Sequence, residues 1–266
     1  MPSIYAHNKF GKLVIPNLSR EMKAVIKKYP NSFRIGLQGP DFLFFYRAFS
    51  KNKINKIGVY YHHHDIYPFI EHALEVIRIF GTNSCQFSYI MGFICHFVLD
   101  NACHPFVHTA MNTTGCGHIE IEGDLDQLIL SSEDYVPEYY PLHFLIPTDQ
   151  TTALSIAPFY ESLSVNTVQK SLRWMKRIKK LFVAPGFFKR SLIDLAMHAT
   201  FHYKRLNGHV IQPTANQNCR KESKHLYHLL RESVPMAVHL IQNFNTALVN
   251  GNLSYEFHKD FNGNIF

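Results

Sequence analysis

The chain has 266 residues, enough for one large or two small domains with ample core, and it is 46% hydrophobic and 14% aromatic, which excludes a disordered or fibrous protein. Its net charge of +7 and pI near 9.1 favour anionic partners such as phosphates, acidic lipids or nucleic acid. Five cysteines without a CxxC pair argue against a disulfide framework and for a reducing compartment.

Most of the chain reads as helix. From Asn17 to Tyr29 the apolar Leu18, Met22, Val25 and Ile26 keep a helical period behind a polar start. A second helix runs from Pro68 to Phe80, with Gly81 as its stop. A third runs from about Ser84 to His104, and Pro105 predicts a kink or an end there. Met111 to Gly117 reads as loop, and Tyr135 to Thr148, with three prolines, as a long irregular connection placed to cross the mouth of a site. Helical patterns return at 150–163, 165–182, 186–203 and 220–249, the last with a kink expected at Pro235. No repeat or flexible linker divides the chain, so residues 1–266 read as one all-α domain, a helical bundle. The N-terminus has no charged region followed by an apolar one, and no apolar run approaches the length of a membrane span. The expectation is therefore a cytoplasmic protein without a transmembrane segment.

Histidine is the outlier, with 17 residues against 20 acids. In GFICHFVLDNACHPFVH, His96, Asp100, His104 and His108 recur every four residues, one helical turn apart on nearly one face. Imidazole and carboxylate are the side chains that bind Zn²⁺ through nitrogen and oxygen. His118 and Glu122 repeat the interval. As a strand, HIEIE would put that pair about 13 Å apart, too far for one ion, so helix is the reading. His7, Asp41 in GLQGPD and the run His62-His63-His64-Asp65 complete the candidates.

In this order the motifs resemble the zinc-dependent phospholipase C family, related to bacterial phospholipase C, the S1/P1 nucleases and the amino-terminal domain of glycosylphosphatidylinositol phospholipase D. The resemblance runs from His7 to about Asp126. It implies an all-helical fold and two or three Zn²⁺ ions cleaving phosphoesters. By the same resemblance Asp41, one histidine of the triple run, His96 and Asp100 are the ligands of one zinc. His104, His118 and Glu122 are a second set, and His7 with a bridging Asp100 a third. Of the triple run His62 is favoured, four residues after Gly58, and His104 is favoured over His108. The secreted relatives also use the mature N-terminal amine, for which Pro2 is the only counterpart after loss of Met1.

The expected activity is that of a zinc phosphoesterase of the phospholipase C type, in which Asp41 orients or deprotonates the attacking water. The expected partner is a phosphoester substrate, a phospholipid included, with no stable nucleic-acid complex. The alternatives are an S1/P1-like nuclease or nucleotidase on the same scaffold, or a non-catalytic zinc-binding helical protein. An HD-domain phosphohydrolase reading of His64-Asp65 leaves the HxxxDxxxH run unexplained. Asp41 after Gly39-Pro40 also suits a helix cap. Cys95 and Cys103 read as small buried hydrophobes.

The segment 171–190 gathers Arg173, Lys176, Arg177, Lys179, Lys180, Lys189 and Arg190 around Trp174. It suits a peripheral membrane contact, but a solvated helix with Trp174, Ile178 and Phe182 in the core is the preferred reading.

Overall fold

The computed structural model describes residues 3–48, 50, 52–200 and 203–266. The chain opens with α1 (Ile4–Val14), α2 (Arg20–Lys28) and α3 (Pro30–Gly36), followed by a short 3-10 turn, Asp41–Phe45. Then come α4 (Lys53–His62), α5 (Tyr67–Phe80), α6 (Cys85–Thr114) and α7 (His118–Ser132). The second half contains α8 (Gln150–Ile156), α9 (Val165–Phe182), α10 (Phe187–Ala199), α11 (Tyr203–Leu206), α12 (Arg220–Glu232) and α13 (Val234–Asn250). No strand occurs among the described residues, only one isolated bridge between Lys259 and Ile265.

Side-chain caps set many of the starts. Ser19, Ser84, Asp149 and Ser164 accept hydrogen bonds from the backbone N–H groups of Met22, Phe87, Thr152 and Thr167, at 2.9–3.2 Å. Gly81 ends α5 at φ +76°, a conformation glycine adopts without strain.

The bundle is built around α6, a 30-residue helix about 45 Å long. Every residue from Gln86 to Asp100 is buried, and α1, α2, α3, α5, α8, α12 and α13 all pack on it. Its closest neighbour is α3. A Cβ on Gly36 would sit 2.2 Å from the Tyr89 carbonyl, and one on Gly92 would sit 2.2 Å from the Phe33 carbonyl. The two helices therefore cross backbone on backbone, which only glycine permits at both positions. By length and composition α6 could cross a membrane, with mean hydropathy 1.3 over 18 residues. That corrects the expectation that no run approaches this length. The helix is apolar because it is the centre of the core.

Several boundaries differ from those expected, among them the start of the loop placed at Met111, which is helical to Thr114, and the end of the helix placed over 186–203, which comes at Ala199. Helix α6 does not end at Pro105 but continues to Thr114 and stops at Gly115, at φ +70°. The Asn101 carbonyl, which loses its donor at residue 105, lies against Gly263 in the C-terminal tail. The segment 150–163 is helical only to Ile156, because Pro158 opens a 3-10 turn. Pro235 does not kink one long helix; it sits in the first turn of α13, where no donor is needed, after a break that ends α12. The connection 135–148 packs through Tyr135 and Tyr140 on Tyr5 of α1, and through Leu142–Leu145 on α9.

One hydrophobic core extends from Ile4 to Phe261. A small satellite core, Ala184, Met197 and Val210, lies under α10.

Candidate metal centre

His96, Asp100 and His104 project from one face of α6, as the four-residue interval requires. His118 and Glu122 occupy the first two turns of α7, so the helical reading of HIEIE holds. His7 comes from α1, Asp41 from the 3-10 turn and His62 from the last residue of α4. All eight converge. His7 Nε2 lies 3.1 Å from Asp100 Oδ1, and His96 Nε2 lies 3.2 Å from Asp100 Oδ2. Asp41 Oδ1 is 2.9 Å from His62 Nε2 and 3.8 Å from His96 Nε2. Glu122 Oε1 is 3.2 Å from His118 Nε2 and 3.5 Å from His104 Nε2. Asp100 Oδ1 also lies 3.8 Å from His104, joining the sets. Three groups result, each able to hold a metal ion: His7, His96 and Asp100; Asp41, His62 and His96; His104, His118 and Glu122.

Of the triple run only His62 enters the cluster. His63 and His64 are exposed, and His64 is held by the Tyr60 carbonyl. His108 is exposed beside the His104 and His118 rings, 6.2 and 5.8 Å away centre to centre. His118, at 24% exposure, is the ligand candidate that solvent reaches most freely. The terminal amine expectation falls on residues 1 and 2, outside the described residues.

The sequence GPD places Asp41 through a bend at Gly39, which has φ +48°. A Cβ there would lie 2.1 Å from Cδ2 of His96. Glycine is required twice over, for the backbone angle and for the imidazole packed on it.

Three histidines share one arrangement. Nδ1 of His62 donates to the Gly58 carbonyl at 2.8 Å, Nδ1 of His96 to Leu37 at 3.2 Å, and Nδ1 of His104 to Phe261 at 2.7 Å. A carbonyl only accepts, so each proton sits on Nδ1 and each Nε2 presents a lone pair. Those lone pairs face carboxylate oxygens. Acceptor facing acceptor in a buried site is relieved either by a metal ion between them or by a second proton on the imidazole. Among the described residues Nε2 of His96, His104 and His118, Oδ2 of Asp100 and Oε2 of Glu122 have no hydrogen-bond partner.

The electrostatics carry the same mark. Burial alone would raise Asp100, yet His96 and His104 hold it well below the carboxylate range. Burial likewise opposes the lowering of Glu122, which His118 and His104 bring about. Burial pushes His96 down. For His104 burial is outweighed by Asp100 and Glu122, and its pKa rises to about 9. Without metal, a proton on His104 serves as the cation.

Two supports were not readable from the motifs. Asp126, one turn beyond Glu122, accepts from Ser3 Oγ at 3.0 Å, Tyr5 N at 3.1 Å and Ala6 N at 2.8 Å. A buried carboxylate thus caps the start of α1 and fixes the helix that carries His7 to the helix that carries Glu122. The second support is the C-terminal tail. The Phe261 ring lies against His62 and His96, and Asn262 Nδ2 donates to the His62 carbonyl at 2.8 Å. Asp260 closes this turn, accepting from the N–H groups of Asn262 and Asn264 at 2.8 and 2.9 Å. The composition Asp-Phe-Asn-Gly-Asn is a turn signal, but nothing local says that the turn meets the cluster.

An all-helical bundle enclosing grouped imidazoles and carboxylates defines a class of α proteins with potential metal-ligand groups in the core. Within that class, the family model for zinc-dependent phospholipase C matches residues 6–183, well past the last motif, and the chain belongs to that family. No curated protein and no solved structure matches it.

Proposed function

We propose that this protein is a zinc-dependent phosphoesterase of the phospholipase C type, hydrolysing a phosphodiester with a metal-activated water. The observation that carries the reading is the set of buried Nε2 lone pairs aimed at carboxylates. Donors on one tetrahedral zinc lie about 3.4 Å apart for bonds near 2.1 Å, and the closest cross-pair distances here are 2.9–3.8 Å. The nitrogen and oxygen donors are those zinc takes, and the Nδ1–carbonyl bonds supply the outer support that zinc-binding imidazoles require.

In this reading Asp41, His62, His96 and Asp100 would hold one zinc, His104, His118 and Glu122 a second, and His7 together with Asp100 a third. Bound zinc supplies positive charge against the phosphodiester and makes a water acidic enough to ionise near neutral pH. Asp41 would orient the attacking water and take its proton through the carboxylate oxygen that does not ligate zinc, and His62, its Nδ1 fixed by the Gly58 carbonyl, would present Nε2 to the metal beside Asp41. The rings of Phe44 and Phe261 against His62 keep bulk water away, while the exposed side at His118 and His108 admits the phosphoester.

The test is hydrolysis by zinc-loaded protein of phosphatidylcholine, a soluble aryl phosphodiester and single-stranded DNA. Release of diacylglycerol from the first and of the aryl alcohol from the second, each leaving a phosphomonoester, is expected. Cleavage of DNA alone would replace the reading with a nuclease, and no cleavage of any would overturn it. Asp41→Asn should retain zinc and lose turnover; loss of zinc instead would remove Asp41 as the base.

A further inference from the structure

Helix α10 is apolar on two opposite faces. Ile193 and Met197 face the satellite core with Ala184 and Val210. Phe188, Leu192 and Leu195, at i, i+4 and i+7, form a second stripe and are 85%, 61% and 66% exposed. Phe187, at 85%, extends it. Large apolar side chains grouped on a surface mark a contact site.

Their surroundings state the chemistry of the partner. Between Glu161 and Asp194 the chain has no acidic residue. Lys176, Lys180 and Lys189 lie together near His143, which burial and then these three cations depress. Phe144, beside His143, is 65% exposed. Lys189 and Arg190 also donate to the carbonyls of Val183 and Ala184, bracing the corner that carries Phe187 and Phe188. Aromatic and leucine side chains among uncompensated lysines match the boundary of an anionic bilayer, where apolar groups enter the acyl region and cations meet head groups.

We propose that α10, with the basic end of α9, is a docking surface for anionic lipid bilayers. Helix α10 lies beyond the part of the chain matched by the family, and the surface does not depend on which residues bind zinc. The core packing of Ile178 in α9 stands as expected from the sequence; the apolar contact is on the next helix.

The test is flotation of the zinc-loaded full chain with vesicles of phosphatidylcholine, and of phosphatidylcholine and phosphatidylglycerol in equal parts. Binding to the anionic vesicles, weakened by salt, is expected. Changing Phe187, Phe188 and Leu192 to serine should lower it on the order of 100-fold. Lys176→Glu with Lys180→Glu should also abolish the preference for anionic lipid. Each variant is checked for unchanged melting temperature and unchanged hydrolysis of a soluble phosphodiester. Absence of binding, equal binding to both vesicles, or a dimer in solution that the serine variant dissolves would overturn the proposal. Vesicle binding without any phosphoesterase activity would leave it standing and defeat the functional reading instead.

Discussion

Helices α6 and α10 are both rich in apolar residues, and they end in opposite places. In α6 the residues from Gln86 to Asp100 find partners all round, so His96 and Asp100, with His104 one turn on, are carried into the interior as a row of metal-ligand candidates. In α10 only one face finds a partner, and the remainder meets solvent. Hydrophobicity alone does not assign a helix to the core. The neighbours do, and α6 has seven helices around it before α7 is counted.

The contrast predicts unequal sensitivity. The largest effect belongs to the buried row. His96→Ala leaves Asp41 and Asp100 without the imidazole they share, and removing one partner of a buried charged set costs about 3–5 kcal/mol. Thermal unfolding should show a large fall in stability, with turnover lost. Gly39→Ala comes next. The strained backbone costs about 1–3 kcal/mol, and the new Cβ displaces His96, so activity should fall more steeply than stability.

The pH profile separates metal-free from loaded protein. In the metal-free form His104 is raised from 6.5 to about 9, so its contribution to stability is complete below pH 6.5 and is lost as pH rises toward 9. Zinc needs the same Nε2 deprotonated, so the stabilisation added by zinc should grow across that interval. Unfolding midpoints with and without zinc at pH 6.5 and 9 check the opposite slopes; parallel slopes would contradict the assignment of His104.

A smaller effect is expected at the tail. Asp260→Ala loosens the turn that presents the Phe261 carbonyl to His104, and zinc affinity should fall about 10–100-fold while the bundle stays folded. The smallest belongs to α10: serine at Leu195 should change stability by no more than about 0.5 kcal/mol, measured by denaturant unfolding.

What could be read from the sequence follows the same division. The ligand row was readable because a four-residue interval is a property of one helix; His62 was singled out only by the spacing after Gly58 that the family resemblance implies, and the Gly58 carbonyl, one turn back, proves to hold it. Pro105 misled, since the carbonyl it deprives is covered by Gly263, distant in sequence. Asp126 carried no metal-site signal because its partners, Ser3, Tyr5 and Ala6, lie at the other end of the first half. The exposed stripe of α10 was hidden for the converse reason: its period is that of a core helix, and only the missing neighbour distinguishes it.

The most direct measurement is zinc per chain, by elemental analysis of tag-free protein and of the Asp100→Ala variant. Two or three zinc ions per chain, falling in the variant, are predicted. A chain that binds none would contradict the account, leaving His96 and His104 as core residues and the charge of Asp100 and Glu122 balanced by imidazole protons alone.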